Sequence, residues 1–248
     1  MNGKLFWLSI IAVVVGFLSG FLLANALNRN ELSSLRAENE RLAKSTNQTS
    51  QSASELFLSD EEIREKIAKA DQNPKNFAFQ KNLGLALYRY AAMKQDAELL
   101  AEVGRILTRA FESNRQDYDV TVTLGNIFFD IGYFKKDNGQ FQKAREFYRT
   151  ALEQRPNDAD VRTDLGLTYF LTNPPENDVA FNEFQKSLQI NPKHEKALQV
   201  LAQLLLSQNK TEEAEKYIVR LKDVNSNNQF LPQLESQISQ IKNDSQKQ

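Results

Sequence analysis

The chain has 248 residues, a formal net charge of −1, 41% hydrophobic residues and 25% charged residues. With no basic excess it lacks the positive face or stripe that nucleic-acid binding requires. It has no cysteine and a single histidine, His194, so disulfides, thiolate metal sites and cysteine nucleophiles are excluded, while few glycines (9) and prolines (6) suit long helices joined by short turns.

The segment 1–28 is expected to be a transmembrane anchor. Leu5 to Leu27 is an uncharged, almost wholly apolar run of 23 residues, flanked by Lys4 and Arg29, and about 20 helical residues cross a hydrocarbon core. The run ends in Ala24-Asn25-Ala26, a pattern a signal peptidase cuts, but it exceeds the roughly 7–15 apolar residues of a signal peptide. Ala12, Gly16, Gly20 and Ala24 recur every fourth residue. They form a stripe of small side chains on which a second membrane helix packs closely. Residues 29–44 follow as a short coiled-coil stalk, with Leu32, Leu35, Asn39 and Leu42 at heptad spacing and Asn39 in an a position. Stripe and stalk together point to a parallel homodimer; the alternative for the stalk is an amphipathic stub. Residues 45–54, rich in Ser, Thr, Gln and Asn, are expected to be a flexible linker.

Residues 55–76 hold an N-terminal helix, with Asp60-Glu61-Glu62 at its start, Ile63 and Ile67 on one face, and an end near Ala70. Residues 77–228 then repeat themselves. Leu83-Gly84, Leu124-Gly125, Leu165-Gly166 and Leu201-Ala202 are each followed three residues later by a bulky side chain (Leu87, Phe128, Tyr169, Leu205). A second helix-like segment follows each, as in Ala144, Tyr148, Ala151 and in Ala180, Phe184, Ser187, with Pro156 and Pro192 closing two copies.

This pattern resembles the tetratricopeptide repeat, W-x2-L-G-x2-Y, then A-x3-F, then P, with a period of about 34 residues. The resemblance divides the segment into four repeats, 77–117, 118–158, 159–194 and 195–228, with a capping helix at 229–243. It implies an all-α, right-handed α-solenoid of helical hairpins, preceded by the single transmembrane helix and the stalk. Spacings of 41, 41 and 36 residues between successive Leu-Gly or Leu-Ala pairs exceed the family period. The surplus falls between the helices or lengthens them, around Ala92 to Leu99 and Lys135 to Gln140. The tryptophan position is Gln80, Thr121, Arg162 and Leu198, and Arg115 stands where the first copy needs proline.

No catalytic, cofactor or metal constellation is legible, and no enzyme activity is expected. His194 follows Asn191-Pro192-Lys193 and is expected to be a solvated turn residue. In the family the first helix of each hairpin lines a concave groove that takes a protein or peptide ligand. Carried onto this chain, the groove positions are Leu85, Tyr88, Asn126, Phe129, Asp130, Leu167, Phe170, Gln203 and Leu206. The alternative is that Tyr88, Phe129 and Phe170 pack beneath neighbouring helices. Asn126 matches one member of the family's carboxylate clamp, but Val122 stands where its Lys belongs, which argues against chaperone tails.

The order of anchor, stalk, linker and repeats is similar to bacterial envelope scaffolds. An interaction scaffold or adaptor at the inner membrane is therefore expected, and a structural subunit of an envelope or cytochrome c biogenesis assembly is the alternative. Sidedness divides the signals. Arg29, Arg36, Arg41 and Lys44 outnumber Lys4 and favour repeats in the cytoplasm. The short basic N-terminus and the A-x-A end resemble an export signal, and the exported side is the reading taken.

Overall fold

The computed structural model describes residues 59–245, all of whose regular elements are α-helices. The expected membrane anchor, its small-residue stripe, the stalk and the linker lie outside the described residues. Among the described residues no helix is long and apolar enough to cross a membrane.

Ten helices follow one another among the described residues: α1 Asp60–Gln72, α2 Phe77–Lys94, α3 Ala97–Ser113, α4 Tyr118–Lys135, α5 Asn138–Gln154, α6 Ala159–Phe170, α7 Asn177–Ile190, α8 Glu195–Ser207, α9 Thr211–Val224 and α10 Leu231–Ser245. Four hairpins, α2–α3, α4–α5, α6–α7 and α8–α9, stack in chain order between α1 and α10.

The same turn separates successive units five times. A residue in extended or near-extended conformation ends the helix, and its carbonyl accepts from the amide three residues on: Asn73 from Asn76 (3.2 Å), Asn114 from Asp117 (3.3 Å), Arg155 from Asp158 (3.3 Å), Asn191 from His194 (3.0 Å) and Asn225 from Asn228 (3.1 Å). Asn76, Asp117, Asp158 and His194 then cap the next helix through a side-chain acceptor. Proline sits inside three of these turns, yet Arg115 and Ser226 occupy the same place without changing the hydrogen bond. Proline presets the backbone here; the Asx-type cap holds it.

The surplus residues lengthen helices and add no loop. The helices α2 and α4 have 18 residues, α3 and α5 have 17, against 12 to 14 in α6 to α9. Only Gln95-Asp96 and Lys136-Asp137 separate the helices of the long hairpins. Gln95 (φ 55°) and Lys136 (φ 53°) take the left-handed conformation that closes a helix. The first two hairpins thus overhang the others by about a helical turn, roughly 5 Å. The third is joined by a longer connection, 171–176, which packs on the second hairpin's overhang. There Asn138 donates to the Asn173 carbonyl (2.7 Å) and accepts from its amide (3.1 Å).

Glycine marks the closest approach within each of the first three hairpins. A Cβ on Gly84 would lie 2.4 Å from Leu107 Cδ2, one on Gly125 2.6 Å from Tyr148 Cε1, and one on Gly166 2.5 Å from Phe184 Cε1. The core is divided along α4. Its Val120, Leu124, Ile127 and Ile131 belong with α1–α3, whereas Val122 and Phe129 belong with α5–α10. At the C-terminal end Phe230, Leu231, Leu234 and Ile238 are buried, so α10 covers the last hairpin. At the other end Arg105 (2.5 and 3.1 Å) and Arg109 (2.7 Å) hold Asp71 and tie α1 to α3. These hydrogen bonds lower the Asp71 carboxyl from 3.8 to about 2.

Candidate functional site

Leu85, Asn126, Leu167 and Gln203 directly follow the close-packed position of α2, α4, α6 and α8, with Tyr88, Phe129, Phe170 and Leu206 three residues further. Equal register in equally packed helices puts these eight side chains on one face of the array. Contact across that face is direct, since Tyr88 on α2 donates its hydroxyl hydrogen to Asp130 on α4 (3.1 Å).

The face is not uniformly accessible. Leu85, Tyr88, Phe170 and Gln203 are half-buried, whereas Asn126, Phe129, Asp130, Leu167 and Leu206 are buried. Asn126 accepts from the buried Tyr148 hydroxyl (3.0 Å), and the Phe129 ring meets Phe141 edge-on with centroids 5.7 Å apart. Both side chains therefore also hold α4 against α5. On α6, Asp164 is bonded to Lys196 of α8.

Polar contacts along the turn edge hold each hairpin to the next. Lys81 bonds Asp117 (2.9 and 2.7 Å), Tyr118 donates to Asp158 (2.5 Å) and Asp160 meets His194 (3.0 Å), while Glu195 accepts from Asn225 (2.9 Å) and Asn228 (2.5 Å) in the turn that leads to α10. In the first three of these joints the residue bonded is the helix cap of the following repeat. The tryptophan position of the motif does related work. Buried Gln80 donates to the Ala70 (2.7 Å) and Asn73 (2.8 Å) carbonyls, and Arg162 donates to Pro156 O (3.2 Å) and Glu183 (3.0 Å).

His194 departs from the expected solvated turn residue. It is buried, its Nδ1 accepts from the Ala197 amide (3.1 Å) as cap of α8, and its Nε2 faces Asp160. A capping Nδ1 has no proton, so Nε2 carries the hydrogen donated to Asp160. His194→Ala is expected to cost about 1 kcal/mol in urea unfolding, with His194→Asn retaining most of it because Asn caps through its own oxygen.

No sequence motif marks Arg145, yet its side chain is buried on α5 and bonds Thr168 and Glu176. Among the described residues no group of three or more His, Cys, Asp or Glu is placed to hold a metal ion.

Two family models match the chain, one described as TPR repeat over residues 125–173 and one as Tetratricopeptide repeat over residues 176–231. Similar solved structures include a crystal structure of MamA protein, 20% identical, covering 66% of this chain and 81% of that one with a TM-score of 0.52. A second MamA crystal structure is 18% identical over 68% of this chain and 96% of that one, also at 0.52. A MamA RS-1 ArsTM double mutant is 13% identical over 81% and 98%, at 0.54. No curated protein matches in sequence. The chain thus carries tetratricopeptide repeats in an all-α, solenoid-like fold of that type, a fold consistent with a protein-interaction scaffold.

Proposed function

We propose that this chain is a membrane-anchored interaction scaffold that receives a protein or peptide on the inner face of its first helices. The observation that carries this reading is the set Leu85, Tyr88, Phe170 and Gln203. These half-buried side chains share one register on the first helices of the hairpins, on the face where Tyr88 of α2 meets Asp130 of α4. Mixed apolar and amide chemistry of this kind suits an amphipathic or extended peptide with a hydrophobic anchor. The apolar run Leu5 to Leu27 supplies the anchor, with the repeats on the exported side of a bacterial inner membrane. The stripe Ala12, Gly16, Gly20, Ala24 and the stalk pair two copies in parallel, which gives two inner faces per assembly and raises avidity. A reporter fused after Gln248 should be active only outside the cytoplasm.

Photo-crosslinking in native membranes tests where the partner sits. A crosslinking side chain in place of Gln203 is expected to give one dominant adduct, and the same group in place of Val219, 58% exposed on α9, is expected to give none. Adducts from Val219 and Val179 alone would favour instead a structural subunit packed permanently through its outer helices.

A further inference from the structure

At the tip edge the second and third hairpins meet through an asparagine. The connection 171–176 crosses from α6 to α7 as a short strap, with Asn173, Pro174, Pro175 and Glu176 exposed. Asn138, the first residue of α5, holds it with both ends of its amide. Its Oδ1 accepts from the Asn173 N–H (3.1 Å) and its Nδ2 donates to the Asn173 carbonyl (2.7 Å). Glu176 adds a bond to Arg145 (2.9 Å) and, through its own amide, one to the Tyr169 carbonyl (2.9 Å). The α7 end of the strap is less well satisfied. Glu176 precedes α7 without a side-chain cap bond, and Asn177 Oδ1 is buried with no hydrogen-bond partner. Unmet polar groups of this kind lower the cost of local opening.

Glycine follows the clamping residue, and Asn138-Gly139 is the one Asn-Gly pair among the described residues. Asparagine is thermolabile because the next backbone nitrogen attacks its side-chain carbonyl carbon. A following glycine, with no Cβ, hinders that attack least. The Gly139 nitrogen bonds to Asn138 Cγ, the Cγ–Nδ2 bond breaks, and ammonia leaves with the amide proton. Water then opens the cyclic imide at either carbonyl, giving aspartate or isoaspartate. The closed strap opposes the first step. Cγ must swing onto the Gly139 nitrogen, which breaks both bonds to Asn173, and the Gly139 N–H is itself donated to Asp137 Oδ1 (2.8 Å).

We propose that Asn138-Gly139 is a deamidation site guarded by the strap, and that its conversion releases the strap irreversibly. Aspartate replaces the Nδ2 donor with a carboxylate oxygen, so two acceptors meet at the Asn173 carbonyl where a hydrogen bond stood. Isoaspartate routes the backbone through the former side chain and disrupts the first turn of α5 as well. No step restores the amide, so the tip joint loosens with the age of the molecule, whether or not the inner-face reading above holds.

Peptide mapping of the full-length protein, held at physiological temperature and mildly alkaline pH, tests the guard. Asn138 is expected to convert about ten-fold or more slowly in the folded chain than in the same chain unfolded in urea. Folded Glu176→Ala, which loosens the strap, should convert several-fold faster than the unsubstituted protein. Equal rates in the folded and unfolded chain, or no gain in Glu176→Ala, would overturn the guard. Asn138→Asp stands for the aspartate product and tests the release. Amide-exchange protection at Asn173 and Glu176 should fall by about ten-fold or more while α2 and α3 keep theirs. Unchanged protection at those two amides would overturn it.

Discussion

Gly125→Ala is expected to destabilise the array by about 2 kcal/mol while Gly104→Ala leaves it as stable or raises it by up to ~1 kcal/mol, although both replace a mid-helix glycine. A methyl at Gly125 would sit 2.6 and 2.7 Å from two atoms of the Tyr148 ring. That ring is almost wholly buried, and its hydroxyl is fixed on Asn126, so it has nowhere to move. At Gly104 the nearest atom is Ile127 Cγ2 at 3.4 Å, an ordinary contact, and the gain in helix propensity remains. Gly166→Ala should resemble Gly125→Ala, because it faces the buried Phe184 ring. Gly84→Ala should cost less, since Leu107 changes rotamer more easily than a ring shifts. Urea unfolding of the four variants checks the order. Equal losses at Gly104 and Gly125 would show that helix propensity, and not the approach of the paired helix, governs these positions.

Arg145→Ala is expected to cost about 2–4 kcal/mol, the largest effect of any single charged residue in the described array. Its guanidinium is buried, bonds Thr168 Oγ1 (3.1 Å), the Thr168 carbonyl (2.9 Å) and Glu176 (2.9 Å), and lies 3.9 Å over the Tyr169 ring. One side chain of α5 thereby holds both the last turn of α6 and the connection to α7. Removing it leaves a carbonyl near the end of α6 without that donor. Arg145→Lys should recover little, because an ammonium lacks the planar fork that serves three acceptors and a ring at once. The measurement is again the unfolding midpoint, with Lys143→Ala as the control: Lys143 is exposed over the Phe128 ring and should cost well under 1 kcal/mol.

The hairpin repeat was legible because its motif residues answer to local geometry. Leu-Gly pairs mark the helix approach, and the Asn or Asp beside each proline marks a turn that repeats five times. The placement of the surplus residues stayed open because Asp137-Asn138-Gly139 has turn composition while serving as a helix cap and first turn. Pro156 and Pro192 are the visible marks of these turns in the sequence, but the capping side chains hold them, and histidine at 194 is an uncommon cap. For the inner face, the register was readable but the depth was not. Phe129 and Phe170 hold one motif position, yet Phe129 is packed on Phe141 of a lengthened hairpin while Phe170 ends a short helix and stays half-buried. Arg145 left no trace in the sequence, since its partners lie 23 and 31 residues away on the next hairpin.

The most direct test of the scaffold reading is partner capture by the full-length chain carrying Tyr88→Ala and Phe170→Ala together. Both side chains are half-buried and Tyr88 also bonds the buried Asp130, so unfolding is measured in parallel and capture is compared under conditions where the double variant is folded. The expected result is loss of capture by ten-fold or more, about 1.4 kcal/mol in binding, from a variant that still folds. Full capture by a folded double variant would contradict the inner face as the working surface.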